Sequence, residues 1–201
     1  MRPVRAVISA WTLVLAAALS AVLAAALLVA VVAAPAVAQA STAQASVRAP
    51  SAKLLVDART ASKLGFPVVV TKARSTSKTG TTFCPRSTYV AYADQDRKTG
   101  MTFTVFACTS AANGAQVLSG LGKDATTLPG VSLPPSLGTG AFLLAQPPGY
   151  NVWFQQGKNI AQVAFTSDLT QKDTTTSLTA AQAKVLVAAA VRQAGLLQGA
   201  K

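Results

Sequence analysis

The feature that most limits what this chain can fold into is a long uncharged stretch at its start. No Asp, Glu, Lys or Arg occurs between Arg5 and Arg48, and Ala, Leu and Val make up most of that stretch. A basic start, an apolar run and small residues at a cleavage point are typical of a secretory signal. An Ala-x-Ala site lies at residues 38–40, just after the helix breaker Pro35. We therefore predict that residues 1–40 are an export signal and not part of the fold.

The same apolar run is long enough to span a bilayer, which takes roughly 20 residues, so an uncleaved membrane anchor is the alternative. Either way the rest of the chain is expected outside the cytoplasm, because Arg2 and Arg5 favour the inner side. Residues 41–52 are small and polar, which predicts a flexible linker. Residues 53–201 are then a single extracytoplasmic domain, long enough to bury a core.

Composition excludes several kinds of chemistry. The chain has no histidine, so Ser-His-Asp and Cys-His sites are impossible and zinc sites built on imidazole are excluded. All six acidic residues are Asp, and none lies in a pattern that suggests a buried catalytic acid. We expect a non-catalytic domain with no cofactor and no metal. The alternatives are a small secreted hydrolase that uses Ser, Lys or Asp, and a secreted protease inhibitor with residues 123–139 as its reactive loop.

Two cysteines, Cys84 and Cys108, are predicted to form a disulfide, because exported domains mature in an oxidising compartment. The segments beside them are rich in strand formers, and residues 94–100 between those segments are dense in turn residues. We predict an antiparallel hairpin in which Cys84 faces Cys108. That register places Val90 opposite Thr102 and leaves an odd-numbered loop centred on residues 95–97.

The remaining pattern predicts a helix over 57–65, a strand over 66–71, a basic loop over 72–82 and a second helix over 109–122. An irregular link over 123–139, three strands near 140–145, 150–155 and 160–165, and a long terminal helix follow. Thr179 and Gln182 form a capping-box pattern at the start of that helix. The order is α-β-β-β-α-β-β-β-α. It predicts an α+β two-layer sandwich, with an antiparallel sheet of about five to six strands and the C-terminal helix packed on one face.

Two candidate binding surfaces stand out. The first is the basic loop, with Lys72, Arg74, Lys78 and the nearby Arg86, which could contact an anionic partner. A net charge of +12 agrees with an anionic cell-envelope polymer, a lipid headgroup or a protein partner. The second is a candidate apolar ligand surface formed by Tyr150, Trp153 and Phe154. A solvated loop and core packing are the ordinary alternatives, and nothing interleaves basic and aromatic residues as a nucleic-acid site does.

The layout also resembles a known group of proteins. A long Ala-rich export segment precedes a D-A-x-x-A-x-x-L-G helix at 57–65, then a cysteine-bearing hairpin, a strand pair and a terminal Ala-rich helix. This is similar to the small secreted and lipoprotein domains of unknown function found in actinobacteria, which are similar to extracellular sensor domains of actinobacterial Ser/Thr kinases. The resemblance implies a non-catalytic envelope role. No cysteine precedes Cys84, so the lipid attachment of a lipoprotein is not expected.

Overall fold

The computed structural model describes residues 47–66, 70–77, 81–94, 99–128, 130–146, 149–166 and 178–199. Their helices and strands follow the predicted order, and the fold is α+β with an antiparallel sheet and a C-terminal helix packed against it. The helices are α1 (Ala58–Lys63), α2 (Ala111–Leu121) and α3 (Ala180–Gln198). The strands are β1 (Val70–Ser77), β2 (Arg86–Ala93), β3 (Gly100–Ala107), β4 (Phe142–Gln146), β5 (Gly149–Gln156) and β6 (Asn159–Thr166). The predicted export segment lies outside the described residues.

The six strands form one sheet in the order β1-β2-β3-β6-β5-β4, and every neighbouring pair is antiparallel. Each α-β-β-β unit of the chain therefore supplies one half of the sheet. The halves meet at the centre, where β3 pairs with β6 along the full length of both strands, from Gly100 opposite Thr166 to Ala107 opposite Asn159.

The sheet has two differently covered faces. On one face α1 and α3 close over the main hydrophobic core, and we call it the α1/α3 face. Its largest buried side chains include Phe103, Phe154 and Leu186, all less than 2 % exposed. The opposite face carries α2 and a smaller cluster around the cysteines, and we call it the α2 face. In addition to the two predicted layers, α2 thus forms a third, partial layer on the opposite face of the sheet.

Helix α3 begins as predicted. The Thr179 side chain accepts a hydrogen bond from the Gln182 N–H, and the Gln182 side chain accepts one from the Thr179 N–H. The buried face of the helix is made mostly of Ala and Leu side chains, and it also contains Gln193. Val187, beside that face, is half-buried.

The β2–β3 hairpin forms, but its predicted register is wrong by one residue. Val90 lies opposite Phe103, and the ladder closes with Ala93 opposite Gly100, which leaves an even-numbered loop. A one-residue slip turns every side chain to the other face. The observed register places Val90, Tyr92 and Phe103 together in the main core, with the Tyr92 and Phe103 rings 6.0 Å apart.

The predicted register was wrong because it treated Cys84 and Cys108 as a facing pair of the ladder, whereas both lie just outside it. Strand β2 begins two residues after Cys84, and β3 ends one residue before Cys108. The disulfide between them is present, as predicted, and both residues are 1 % exposed. The Thr109 N–H donates to the Phe83 carbonyl at 2.9 Å, which holds the two chain segments together beyond the last ladder pair.

The entrance to the fold differs from the prediction in one respect. Residues 47–52, assigned to the linker, include Pro50, which is buried and accepts a hydrogen bond from the Thr88 hydroxyl at 2.7 Å. Helix α1 then forms as expected. Asp57 caps its first turn by accepting from the Thr60 N–H at 2.7 Å, and Gly65 ends it with a φ of 95°, a conformation that glycine adopts without strain.

The link over 123–139 is attached to the sheet at several points. Thr126 forms a β-bridge with Leu143, and its hydroxyl accepts from the Ala145 N–H at 2.8 Å. A short 3-10 helix over Pro135–Leu137 buries Leu137 completely. The link is therefore more regular than its proline content indicated. Among the described helices, none combines the length and apolarity needed to cross a membrane.

Candidate functional site

The predicted basic loop is largely a strand. Lys72 and Arg74 lie in β1, Arg86 is the first residue of β2, and Lys78 lies outside the described residues. In the backbone register Lys72 pairs with Ala91, about 17 Å along β2 from Arg86 at ~3.4 Å per residue. The backbone thus separates Lys72 from Arg86. A run of Lys, Ser and Thr was interpreted as a loop because it lacks the apolar alternation of an inner strand.

The predicted aromatic surface is divided between the two faces of the sheet. Side chains alternate along a strand, so Tyr150 and Phe154 point to one face of β5 and Trp153 to the other. Tyr150 and Phe154 are 9 % and 0 % exposed and belong to the main core. The three residues therefore do not form one ligand surface, and only Trp153 remains a candidate binding residue.

Trp153 lies on the α2 face among the residues of the smaller cluster. Its indole ring stacks on Phe106, with ring centroids 5.8 Å apart and an interplanar angle of 22°. Leu118, Ile160 and the disulfide complete the cluster. The indole Nε1 is buried and has no hydrogen-bond acceptor within the described residues. A buried donor without a partner costs about 1–3 kcal/mol, so this atom needs an explanation.

Helix α2 covers only part of this face. It approaches β5 and the disulfide closely, because an added Cβ at Gly114 would lie 2.9 Å from the Gln155 amide nitrogen and 3.6 Å from Cys108 Sγ. The Gln155 amide in turn donates to the carbonyls of Ala111 and Gly157, both at 2.7 Å. The glycine that weakens the helix on propensity is the residue that lets it approach the sheet.

Beside α2 lies a band of polar side chains from the strands at the centre of the sheet. We call it the polar strip, and its members are Tyr89, Thr102, Thr104, Asn151 and Gln162. The register aligns Tyr89, Thr104, Gln162 and Trp153 across four adjacent strands. Ala91, Thr102, Ala164 and Asn151 form the next row.

The chemistry of the strip is uniform. Its side chains offer hydroxyl and amide groups, which both donate and accept hydrogen bonds, and none of them is Lys, Arg or Asp. The Asn151 side-chain amide is fixed by donating to the side-chain oxygen Oε1 of Gln146 at 2.7 Å. Tyr89, Thr102 and Gln162 are half-buried, whereas Thr104 and Asn151 are only 8 % and 5 % exposed. The five side chains of the strip can therefore form many neutral hydrogen bonds, and none of the five is itself charged.

A shallow cleft of about 450 Å³ lies on the other side of α2, between that helix and residues 137–140. The polar side chains lining it are Ser119, Thr139 and Gln155, with no Lys or Asp among the lining residues. A Ser or Thr nucleophile needs an adjacent base to be activated. The cleft offers two hydroxyls and an amide, and no such base.

The Asp57 carboxylate at the N-cap of α1 has a shifted pKa. Hydrogen bonds from the Thr60 backbone and side chain hold the pKa of Asp57 below its usual value of 3.8. The positive charges of Arg59 and Arg192 lower it further, against the opposing effect of burial. This carboxylate is engaged in capping a helix.

Comparisons with protein-family models, with curated proteins and with solved structures each found no match.

Proposed function

We propose that this protein is a non-catalytic, extracytoplasmic binding domain, and that the polar strip binds a neutral, polyhydroxylated chain such as a glycan strand of the cell envelope. The export segment predicted at residues 1–40 and the disulfide support the location, because both suit a chain that matures outside the cytoplasm. The observation that carries the binding site is the unpartnered Trp153 Nε1 at the end of the Tyr89–Thr104–Gln162 row.

The ligand class follows from what the strip offers. A sheet face presents side chains and not free backbone groups, so a peptide strand would gain few main-chain hydrogen bonds there. Sugar hydroxyls match the hydroxyl and amide side chains, since both partners donate and accept. Tyr89 and the Phe106–Trp153 stack add aromatic surface at two ends of the row, where the apolar side of a sugar ring can pack.

Trp153 also provides a direct measurement. The chain has two tryptophans, Trp11 and Trp153. In the full-length chain, Trp11→Phe leaves Trp153 as the only indole. We expect its fluorescence to change on titration with neutral oligosaccharides, for which oligomers of N-acetylglucosamine and of glucose are suitable probes. A ligand bound along the row would change the surroundings of the indole at its end and so shift the emission.

A matched pair of glutamines tests the assignment of the strip. Gln162→Ala should weaken oligosaccharide binding about fivefold to tenfold, the effect of one lost hydrogen bond. Gln156→Ala removes a half-buried glutamine from the neighbouring strand outside the strip, and should leave binding unchanged. Absence of binding to every neutral oligosaccharide, or equal losses in the two variants, would show that the strip is not a glycan site.

A further inference from the structure

The surface of the helical layer on the α1/α3 face is basic. Five cations lie on the elements that form it, and all five are exposed: Lys53, Arg59, Lys63, Lys184 and Arg192. We call this set the basic helical surface. The same elements carry a single carboxylate, Asp57, which caps α1. This surface is distinct from the basic loop predicted at residues 72–82.

Three contacts show that these cations share one continuous surface. An added Cβ at Gly65 would lie 3.3 Å from Val185, which places the end of α1, with Lys63, beside the start of α3, with Lys184. The Gln193 side chain binds the backbone of Leu54 and Val56, which places Arg192 near Lys53. The charges of Arg59 and Arg192 both lower the pKa of Asp57, so each of them lies within electrostatic reach of that carboxylate.

The outer side of α3 is not purely polar. At about 100° per residue, Lys184, Ala188, Val191 and Arg192 fall within a stripe roughly 100° wide on that helix. Val191 is 37 % exposed, which makes it one of two exposed large hydrophobic side chains among the described residues. The half-buried Val187 lies one turn before it, so the two valines form a narrow aliphatic edge beside the cations. An exposed aliphatic side chain flanked by cations suits contact with the headgroup region of an anionic bilayer, where the cations bind the headgroups.

The point where the chain enters the fold lies on the same side. Pro50 is held by Thr88, a buried residue of β2 on the α1/α3 face. The residues just before it are mostly small and polar, and the stretch before those is apolar. Residues 47–50 therefore lie on the same face of the sheet as α1 and α3.

We infer that the basic helical surface docks on an anionic lipid bilayer, with Val191 facing the headgroups and the polar strip turned away from the membrane. This inference shares with the proposed function only the location outside the cytoplasm. It needs no glycan at the strip, so either can fail alone. The exposed valine beside the cations favours a lipid surface over a soluble anionic polymer.

The test uses the full-length chain in lipid nanodiscs, with an environment-sensitive fluorophore on Val191→Cys or, in a second sample, on Ser119→Cys. Ser119 is an exposed residue of α2, on the opposite side of the sheet. We expect a blue shift at position 191 in discs that contain phosphatidylglycerol, no shift in pure phosphatidylcholine, and loss of the shift in high salt. Position 119 should not respond in either lipid.

Two double variants of equal charge provide the control. Lys184→Gln with Arg192→Gln should lower the ratio of docked to undocked domain about 25-fold, or roughly fivefold for each charge. Lys123→Gln with Lys158→Gln changes the net charge equally but lies off the surface, and should have no effect. Equal responses of the two double variants would overturn the inference, and so would a blue shift at position 119. Soluble polyphosphate without lipid is a third sample. A blue shift at position 191 that appears with polyphosphate but not with anionic lipid would also overturn it.

Discussion

The side-chain amide of Gln193 accepts a hydrogen bond of 3.2 Å from the backbone N–H of Val56, and both residues are buried. The same amide donates to the Leu54 carbonyl. A glutamine in the middle of the buried face of α3 thus satisfies backbone groups that lie 137 and 139 residues earlier in the chain. This contact closes the α1/α3 face at the point where the chain enters the fold.

Replacing this glutamine should therefore be costly. Gln193→Leu keeps the side-chain volume but leaves the buried Val56 N–H and the part-buried Leu54 carbonyl without this partner, which we expect to lower the free energy of unfolding by about 2–3 kcal/mol. Urea denaturation followed by circular dichroism measures the change. Gln198→Leu, at an exposed position on the same helix, should change stability by less than ~0.5 kcal/mol. A loss below ~1 kcal/mol for Gln193→Leu would mean that water reaches the Val56 N–H.

The disulfide should be a major source of stability. Its cysteines are 24 residues apart, and closing a loop of that size stabilises a fold by about 3.5 kcal/mol in the chain-entropy model. We expect the double variant Cys84→Ala and Cys108→Ala to lose at least that much, because Trp153 also loses packing atoms. Reduction of the wild-type chain under matched conditions separates the two effects. Equal stability of the oxidised and reduced chains would contradict the prediction.

Two glycines of α2 should respond differently to the same change. Gly120→Ala adds a methyl group with nothing within 4 Å, so the gain in helix propensity should stabilise the protein by about 0.5–1 kcal/mol. Gly114→Ala would place its methyl group 2.9 Å from the Gln155 amide nitrogen. If that amide moves, it loses its hydrogen bonds to Ala111 and Gly157. We therefore expect the free energy of unfolding of Gly114→Ala to be at least ~1 kcal/mol lower than that of Gly120→Ala. Thermal unfolding of both variants measures the difference, and equal effects would show that Gln155 relocates freely.

The N-cap of α1 should make stability sensitive to acid. The pKa of Asp57 is held down in the folded protein, first by the hydrogen bonds from Thr60 and then by the charges of Arg59 and Arg192. The unfolded chain therefore takes up a proton at a higher pH than the folded chain. The stabilisation is complete above the ordinary value of 3.8 and is lost as the pH falls through the lower folded pKa.

Two substitutions at this position separate capping from charge. Asp57→Ala should lower stability by about 1 kcal/mol at neutral pH, the usual value of an N-cap. Asp57→Asn should retain most of this N-cap stabilisation, since asparagine can also cap a helix. It should, however, make stability decline less steeply below about pH 4, because asparagine does not titrate. Urea midpoints measured across the acid range test both statements. An unchanged acid profile for Asp57→Asn would mean that another group causes the decline.

Local sequence signals predicted the elements well, because caps, turns and alternation act within a few residues. The capping box at Thr179 and Gln182 and the stop at Gly65 are of this kind. The register of the β2–β3 hairpin was missed because it depends on which side chains meet α1 and α3, and the cysteines lie outside the ladder. A hairpin drawn to bury Val90, Tyr92 and Phe103 together would have had the observed register.

The candidate sites were harder to predict, since they depend on which residues the sheet brings together. Strict alternation along β5 is by itself enough to separate Trp153 from Tyr150 and Phe154. Gln193 also left a signal, because it falls at helical spacing between Leu186, Ala190 and Leu197 on an otherwise apolar face. The polar strip and the basic helical surface gave no such signal, as each is assembled from distant segments.

The central β3–β6 ladder has a consequence for how the chain reaches this structure. Each half of the sheet can form from hairpins between neighbouring strands, which search a short stretch of chain. The ladder between β3 and β6 and the reach of Gln193 back to Val56 require far larger loops to close, and such contacts slow folding. A ribosome-bound chain that ends before β6 would hold β3 as an unprotected sheet edge, so the vulnerable period in synthesis ends only when β6, which finishes at Thr166, has emerged.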